Sequence, residues 1–129
     1  MSAGPEKRLN LLVVDDSAMM RAMIKRAAGL SNVPIDKVYE ASNGEEALRL
    51  LESTPIDALF TDINMPVMTG IELLTALDRQ DRWKGLVRVI ISTDGSDARR
   101  AQAQALSAYQ YVEKPFKPEA IRHVLASLL

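Results

Sequence analysis

Four places in the chain carry side chains that together could handle an anion: Asp15-Asp16, Asp62, Ser92-Thr93 and Lys114. Each follows or closes a short apolar run, so if those runs are neighbouring strands, three carboxylates, a hydroxyl and an ammonium converge on one edge. Carboxylates that share a site repel one another unless a cation or protons compensate. A hard divalent ion fits best, because Mg²⁺ is held by a few carboxylates and keeps waters for phosphate oxygens. Lys114 adds a positive partner for a phosphoryl oxygen, and the hydroxyl of Ser92 or Thr93 can donate to another. Taken singly, each feature has a plainer explanation: Asp15-Asp16 as helix caps, Asp62 as a turn residue, Lys114-Pro115 as a loop. Together they point to phosphoryl chemistry. The chain has no cysteine, which removes thiol nucleophiles and thiolate metal sites, and its single histidine, His123, is assigned to the surface of the last helix.

The elements that must position these groups alternate in type. Strands are expected at Leu9–Val14, Lys37–Ala41, Ala58–Thr61, Arg88–Ser92 and Gln110–Glu113. Helices are expected at Ala18–Ala28, Gly44–Glu52, Gly70–Asp78, Asp97–Leu106 and Pro118–Leu128. Met20, Met23, Ile24 and Ala27 follow the spacing of a buried helical stripe, and so do Ile121, Val124, Leu125 and Leu128. Ser42-Asn43-Gly44-Glu45 reads as a capping box for the second helix, and Pro118 suits the first turn of the last. Five β-α units around one parallel sheet predict a flavodoxin-like doubly wound α/β fold with strand order 2-1-3-4-5, whose ligands bind where that order reverses.

Residues 9–129 are expected to form one domain and residues 1–8 a flexible N-terminal tail. With Lys+Arg 16 against Asp+Glu 17, the chain has no overall basic footprint for nucleic acid. No apolar run approaches the ~20 residues that span a bilayer, so a cytoplasmic protein with no membrane partner is expected.

These motifs resemble the receiver domains of response regulators in two-component signalling. Leu12-Val13-Val14-Asp15-Asp16-Ser17 looks like the family's acidic first strand. Asp62-Ile63-Asn64-Met65-Pro66-Val67-Met68-Thr69-Gly70 is similar to its phosphoacceptor loop, and Tyr111-Val112-Glu113-Lys114-Pro115-Phe116 to its fifth-strand signature. The resemblance implies that Asp62 accepts the phosphoryl group and that Asp16 ligates Mg²⁺ directly. Asp15 would act largely through water, and the backbone carbonyl of Asn64 would complete the set. Lys114 would pair with the acyl phosphate, ahead of a cis bond to Pro115, and Tyr111 would be the switch aromatic. Counting without gaps from Asp62 and from Lys114 puts Ser92 on the family's hydroxyl, and strand alternation turns Thr93 away.

The implied partners are a sensor histidine kinase or phosphotransfer protein as donor, and an effector that reads the face of the fourth helix, fifth strand and fifth helix. Such a domain is no enzyme beyond self-phosphorylation from small phosphodonors and self-dephosphorylation. The Asp15-Asp16-Ser17-Ala18-Met19-Met20-Arg21 stretch leans toward chemotaxis regulators. Asp94-Gly95, Ser107-Ala108, Arg88 and the long first crossover at Ser31 to Asp36 depart from the family pattern. A haloacid dehalogenase-type hydrolase fits less well, since it needs a second aspartate where Asn64 stands. A dinucleotide-binding module lacks its glycine-rich turn after the first strand.

Overall fold

The computed structural model describes residues 7–129, so most of the expected N-terminal tail lies outside the described residues. Five strands, β1 (Leu9–Val14), β2 (Ile35–Ala41), β3 (Ala58–Thr61), β4 (Val87–Ser92) and β5 (Gln110–Glu113), form one parallel sheet in the order β2-β1-β3-β4-β5. Helices α1 (Ala18–Gly29), α2 (Gly44–Ser53), α3 (Gly70–Asp78), α4 (Asp97–Ala105) and α5 (Pro118–Ala126) alternate with them. This is the flavodoxin-like fold expected from the alternation.

Side-chain alternation along the central strands divides the core in two. Leu12, Val14, Leu59 and Ile90 face α2, α3 and α4, whereas Leu11, Val13, Phe60, Val89 and Ile91 face α1 and α5. Both faces of β1, β3 and β4 are thus covered, which is why these strands read as unbroken apolar runs. Among the described residues, no helix is long and apolar enough to cross a membrane.

The departures from expectation have local causes. β2 starts at Ile35, ahead of Lys37, and the β1–β2 register shifts between Leu9 and Asn10. α5 ends before Leu128, which still packs on the α1–α5 side of the core. The α1 stripe is Ile24, Ala27 and Ala28, while Met23 is 47% exposed. The α2 cap is shifted by one residue from the expected box. Asn43 accepts from Glu46 N, and the Glu46 carboxylate reaches back to Ser42 N and Oγ. The complete capping box belongs to α3, between Thr69 and Glu72.

A 3₁₀ turn at Asp81–Trp83 had no sequence signal. Arg88 holds it in place: this residue, an oddity of the sequence, is buried in β4. Its Nη2 donates to Trp83 O at 2.7 Å and its Nη1 to Leu106 O at 3.3 Å, and Nη1 lies 3.5 Å from Asp78 Oδ1. One side chain thereby joins the ends of α3 and α4. Ser107 takes a left-handed conformation (φ 68) just past α4 and donates its hydroxyl to Asp78.

Candidate functional site

Three charged residues of the site, Asp15, Asp62 and Lys114, each lie one position beyond a strand and are still tied to the neighbouring one. Asp15 N donates to Ala41 O at 3.1 Å, Asp62 N to Val14 O at 3.0 Å, and Lys114 N to Ser92 O at 2.8 Å. The ladder hydrogen bonds therefore place the backbones of these three residues before any side-chain contact is made.

The side chains then converge. Lys114 Nζ lies 2.8 Å from Asp15 Oδ2 and 3.0 Å from Asp62 Oδ2. The other oxygen of Asp15 accepts from Ser17 N at 2.9 Å, and the other oxygen of Asp62 from Ile63 N at 2.7 Å. Burial pushes the Lys114 pKa down, but its hydrogen bonds to Asp15 and then Asp62 outweigh that and the net shift is upward, so the group is a firm ammonium. Asp16 is different. It is exposed, and among the described residues no hydrogen bond or ion pair engages its carboxylate.

One carboxylate oxygen from each of Asp15, Asp16 and Asp62 lies within 4.8 Å of the others. An all-oxygen donor set with one unengaged, solvent-facing carboxylate suits a hard divalent cation that keeps part of its water. The residues present fit Mg²⁺. Asn64 is exposed in the same loop, two positions past Asp62.

The loop from Asp62 to Thr69 is held through its backbone carbonyls by α3, by Thr61 and by the start of α2. Gly70 N donates to Ile63 O at 2.8 Å, Thr61 Oγ1 to Asp62 O at 2.9 Å, and Gly44 N to Met68 O at 3.0 Å. A Cβ on Gly70 would lie 2.0 Å from Asp62 O, so only glycine lets α3 start this close to the aspartate. Inside the loop, Met68 N bonds Pro66 O at 2.7 Å around Val67 at φ 69, a strained γ-turn carried by a β-branched residue.

Ser92 is fully buried at the end of β4 and Thr93 is exposed. Ser92 and Tyr111 are linked through one residue rather than through the carboxylates. Ser92 Oγ accepts from Asp94 N at 3.1 Å, and the Tyr111 hydroxyl donates to Asp94 O. Burial raises the phenol pKa, which keeps it a donor. The Arg100 guanidinium covers the Tyr111 ring, 4.6 Å from its centroid, and pairs with Glu113 at 3.1 Å. The Lys114–Pro115 peptide is cis, as the resemblance implies, and His123 is exposed.

Sequence reasoning missed the linking role of Asp94, which uses backbone atoms, and also Arg21, whose Nη1 donates to Asp15 O at 2.6 Å. The only signal for Arg21 is a cation near a helix N-terminus that has no acid in its first turn, against the helix dipole.

This arrangement, a doubly wound sheet with a three-carboxylate, one-lysine edge, coincides with a family match. Residues 11–126 match the response regulator receiver domain, and the chain belongs to that family. Receiver domains are signalling domains rather than classical enzymes. Within the family the chain is CheY-like. It is 34% identical over 122 residues to the chemotaxis protein CheY homolog of Campylobacter jejuni, covering 94% of this chain and 92% of that protein. It is 32% identical over 120 residues to chemotaxis protein CheY of Pseudomonas aeruginosa, covering 93% and 95%. The solved structure of chemotaxis response regulator CheY4 of Vibrio cholerae superposes with a TM-score of 0.83 at 30% identity, covering 95% of this chain and all of that one.

Proposed function

We propose that Asp62 accepts a phosphoryl group from the phosphohistidine of a sensor kinase or phosphotransfer protein, and that the phosphorylated form changes what the α4–β5–α5 face binds. The observation that carries this reading is the convergence of the Asp15, Asp16 and Asp62 carboxylates, two of which, Asp15 and Asp62, share the Lys114 ammonium. Asp16, Asp62 and the Asn64 carbonyl would hold Mg²⁺, with Asp15 reaching it through water. Mg²⁺, when bound, supplies positive charge to the phosphoryl oxygens.

The chain's own residues supply the rest. Asp62 is held with one oxygen on Ile63 N and the other on Lys114, so the nucleophile is oriented before a donor arrives. The donor's P–N bond breaks as the O–P bond to Asp62 forms, and the departing electron pair stays on the imidazole. Lys114 remains beside the new acyl phosphate as a charge-assisted donor, which suits a loose phosphoryl transition state. Ser92 would donate its hydroxyl to a phosphoryl oxygen, and Asp94, whose N–H is on Ser92 Oγ and whose carbonyl takes the Tyr111 hydroxyl, would connect that new bond to Tyr111. A cytoplasmic location and protein partners, rather than nucleic acid or membrane, belong to the same reading.

Acetyl phosphate with Mg²⁺ tests it: one phosphoryl group per chain by intact mass, and none in Asp62→Asn. Labelling of Asp62→Asn at the parental rate would overturn the assignment.

A further inference from the structure

Asp15 has every polar group occupied. Its N–H is on Ala41 O, its carboxylate on Ser17 N and Lys114, and its carbonyl accepts from Arg21 Nη1 at 2.6 Å. That last contact matters for the next residue, because the Asp15 carbonyl belongs to the Asp15–Asp16 peptide. The orientation of this peptide sets the direction in which Asp16 leaves the chain. Among the described residues no hydrogen bond or ion pair holds the Asp16 carboxylate itself, so its aim depends on the backbone that carries it.

Arg21 is itself braced. Its Nε donates to Glu40 Oε1 at 3.0 Å, and the other Glu40 oxygen takes Lys25 Nζ at 3.1 Å. The hydrogen bonds from Lys25 and then Arg21 hold the Glu40 carboxyl below its usual range, so it stays anionic. The Arg21 side chain is 17% exposed, far less than a cation at a helix start would be if it only sought water. Its place near the positive end of α1 is electrostatically adverse.

We infer that Arg21, braced by Glu40, is a positioning residue for the cation site: it fixes the Asp15–Asp16 peptide so that Asp16 presents its carboxylate beside Asp62. The inference rests on the proposed reading in which Asp16 ligates Mg²⁺. Two physical effects of Arg21 have opposite signs, and this makes the role measurable. As a charge alone, a guanidinium close to a divalent cation repels it, and removing the guanidinium tightens binding. As a positioning group, its removal leaves Asp16 to wander and weakens binding.

The experiment is a Mg²⁺ titration of the full chain, read by calorimetry and by the backbone amide shifts of Asp16 and Ile63, with thermal midpoints recorded alongside. Arg21→Gln is expected to weaken Mg²⁺ affinity by about tenfold, the scale of losing an outer-shell partner of a metal ligand, with a near-parental thermal midpoint. Arg21→Lys keeps the charge but not the two-pronged reach, and is expected to weaken binding similarly. Glu40→Gln leaves the guanidinium in place and removes its brace, so it is expected to give a smaller loss in the same direction. It also keeps the test alive if an Arg21 variant fails to fold. Unchanged or tighter Mg²⁺ binding in Arg21→Gln, with binding lost in Asp16→Asn, would overturn the inference and leave the site reading standing. Parental affinity in Asp16→Asn would overturn both.

Discussion

Two loops at the same edge of the sheet close in opposite ways, and two glycines expose the difference. A Cβ added at Gly70 would meet an oxygen at 2.0 Å, and a Cβ added at Gly95 would meet one at the same distance. At Gly70 the oxygen is the backbone carbonyl of Asp62, which cannot move without moving the proposed phosphoacceptor. At Gly95 it is the carboxylate tip of Glu113, which is exposed and can swing away. The helices that follow show the same contrast. α3 buries Gly70, Leu73, Leu74 and Leu77 over nine residues, whereas α4 buries only Ala103 over the same length. The β3–α3 side is a fixed template held by backbone and core. The β4–α4 side is held by Arg100, Glu113 and the Tyr111 hydroxyl, contacts that can be exchanged at small cost.

The contrast can be broken most directly at Gly70. Gly70→Ala forces backbone apart at the Asp62 loop and is expected to cost at least ~3 kcal/mol in urea unfolding and to abolish labelling by acetyl phosphate. Parental stability in this variant would mean that the loop is not a fixed template. Val67 gives the next effect, with the opposite sign. This β-branched residue is 73% exposed in a left-handed conformation, so Val67→Asn is expected to raise stability by about 1 kcal/mol, since little burial is lost. A loss of stability would show that the loop depends on the valine side chain.

The smallest effects belong to the other side. Gly95→Ala and Arg100→Ala are each expected to change stability by less than ~1 kcal/mol, the scale of an exposed ion pair or an exposed cation–π contact. Both should nevertheless shift the Tyr111 ring resonances, because both release the Arg100 cover. If either variant unfolds the chain, or leaves Tyr111 unmoved, the two sides are not built differently.

The sequence was legible where a single residue type carries the signal. Runs buried on both faces and ended by aspartate gave β1 and β3 their bounds, and Asp15, Asp16, Asp62 and Lys114 could be placed on one edge because strand order alone brings them there. The α2 cap was misread because Ser42 and Asn43 both cap well and glutamate stands three places after each. The 3₁₀ turn, the grip of Arg88 and the hold of Arg21 on Asp15 were illegible for a common reason. Their partners are backbone carbonyls, which every residue has, and only tertiary packing decides which carbonyl is within reach. The role of Asp94 is hidden in the same way: its N–H and C=O link Ser92 to Tyr111, and its side chain, paired with Arg99, takes no part in that link.

The unengaged carboxylate of Asp16 has a consequence for how such a chain is selected. Three carboxylates share an edge with one ammonium, and that ammonium is already divided between Asp15 and Asp62. The negative charge of Asp16 is therefore tolerated rather than satisfied, and a mutational search that rewarded thermal resistance alone would discard it early. On the proposed reading Asp16 trades robustness for cation binding, and it is the first position at which a lineage released from signalling is expected to drift.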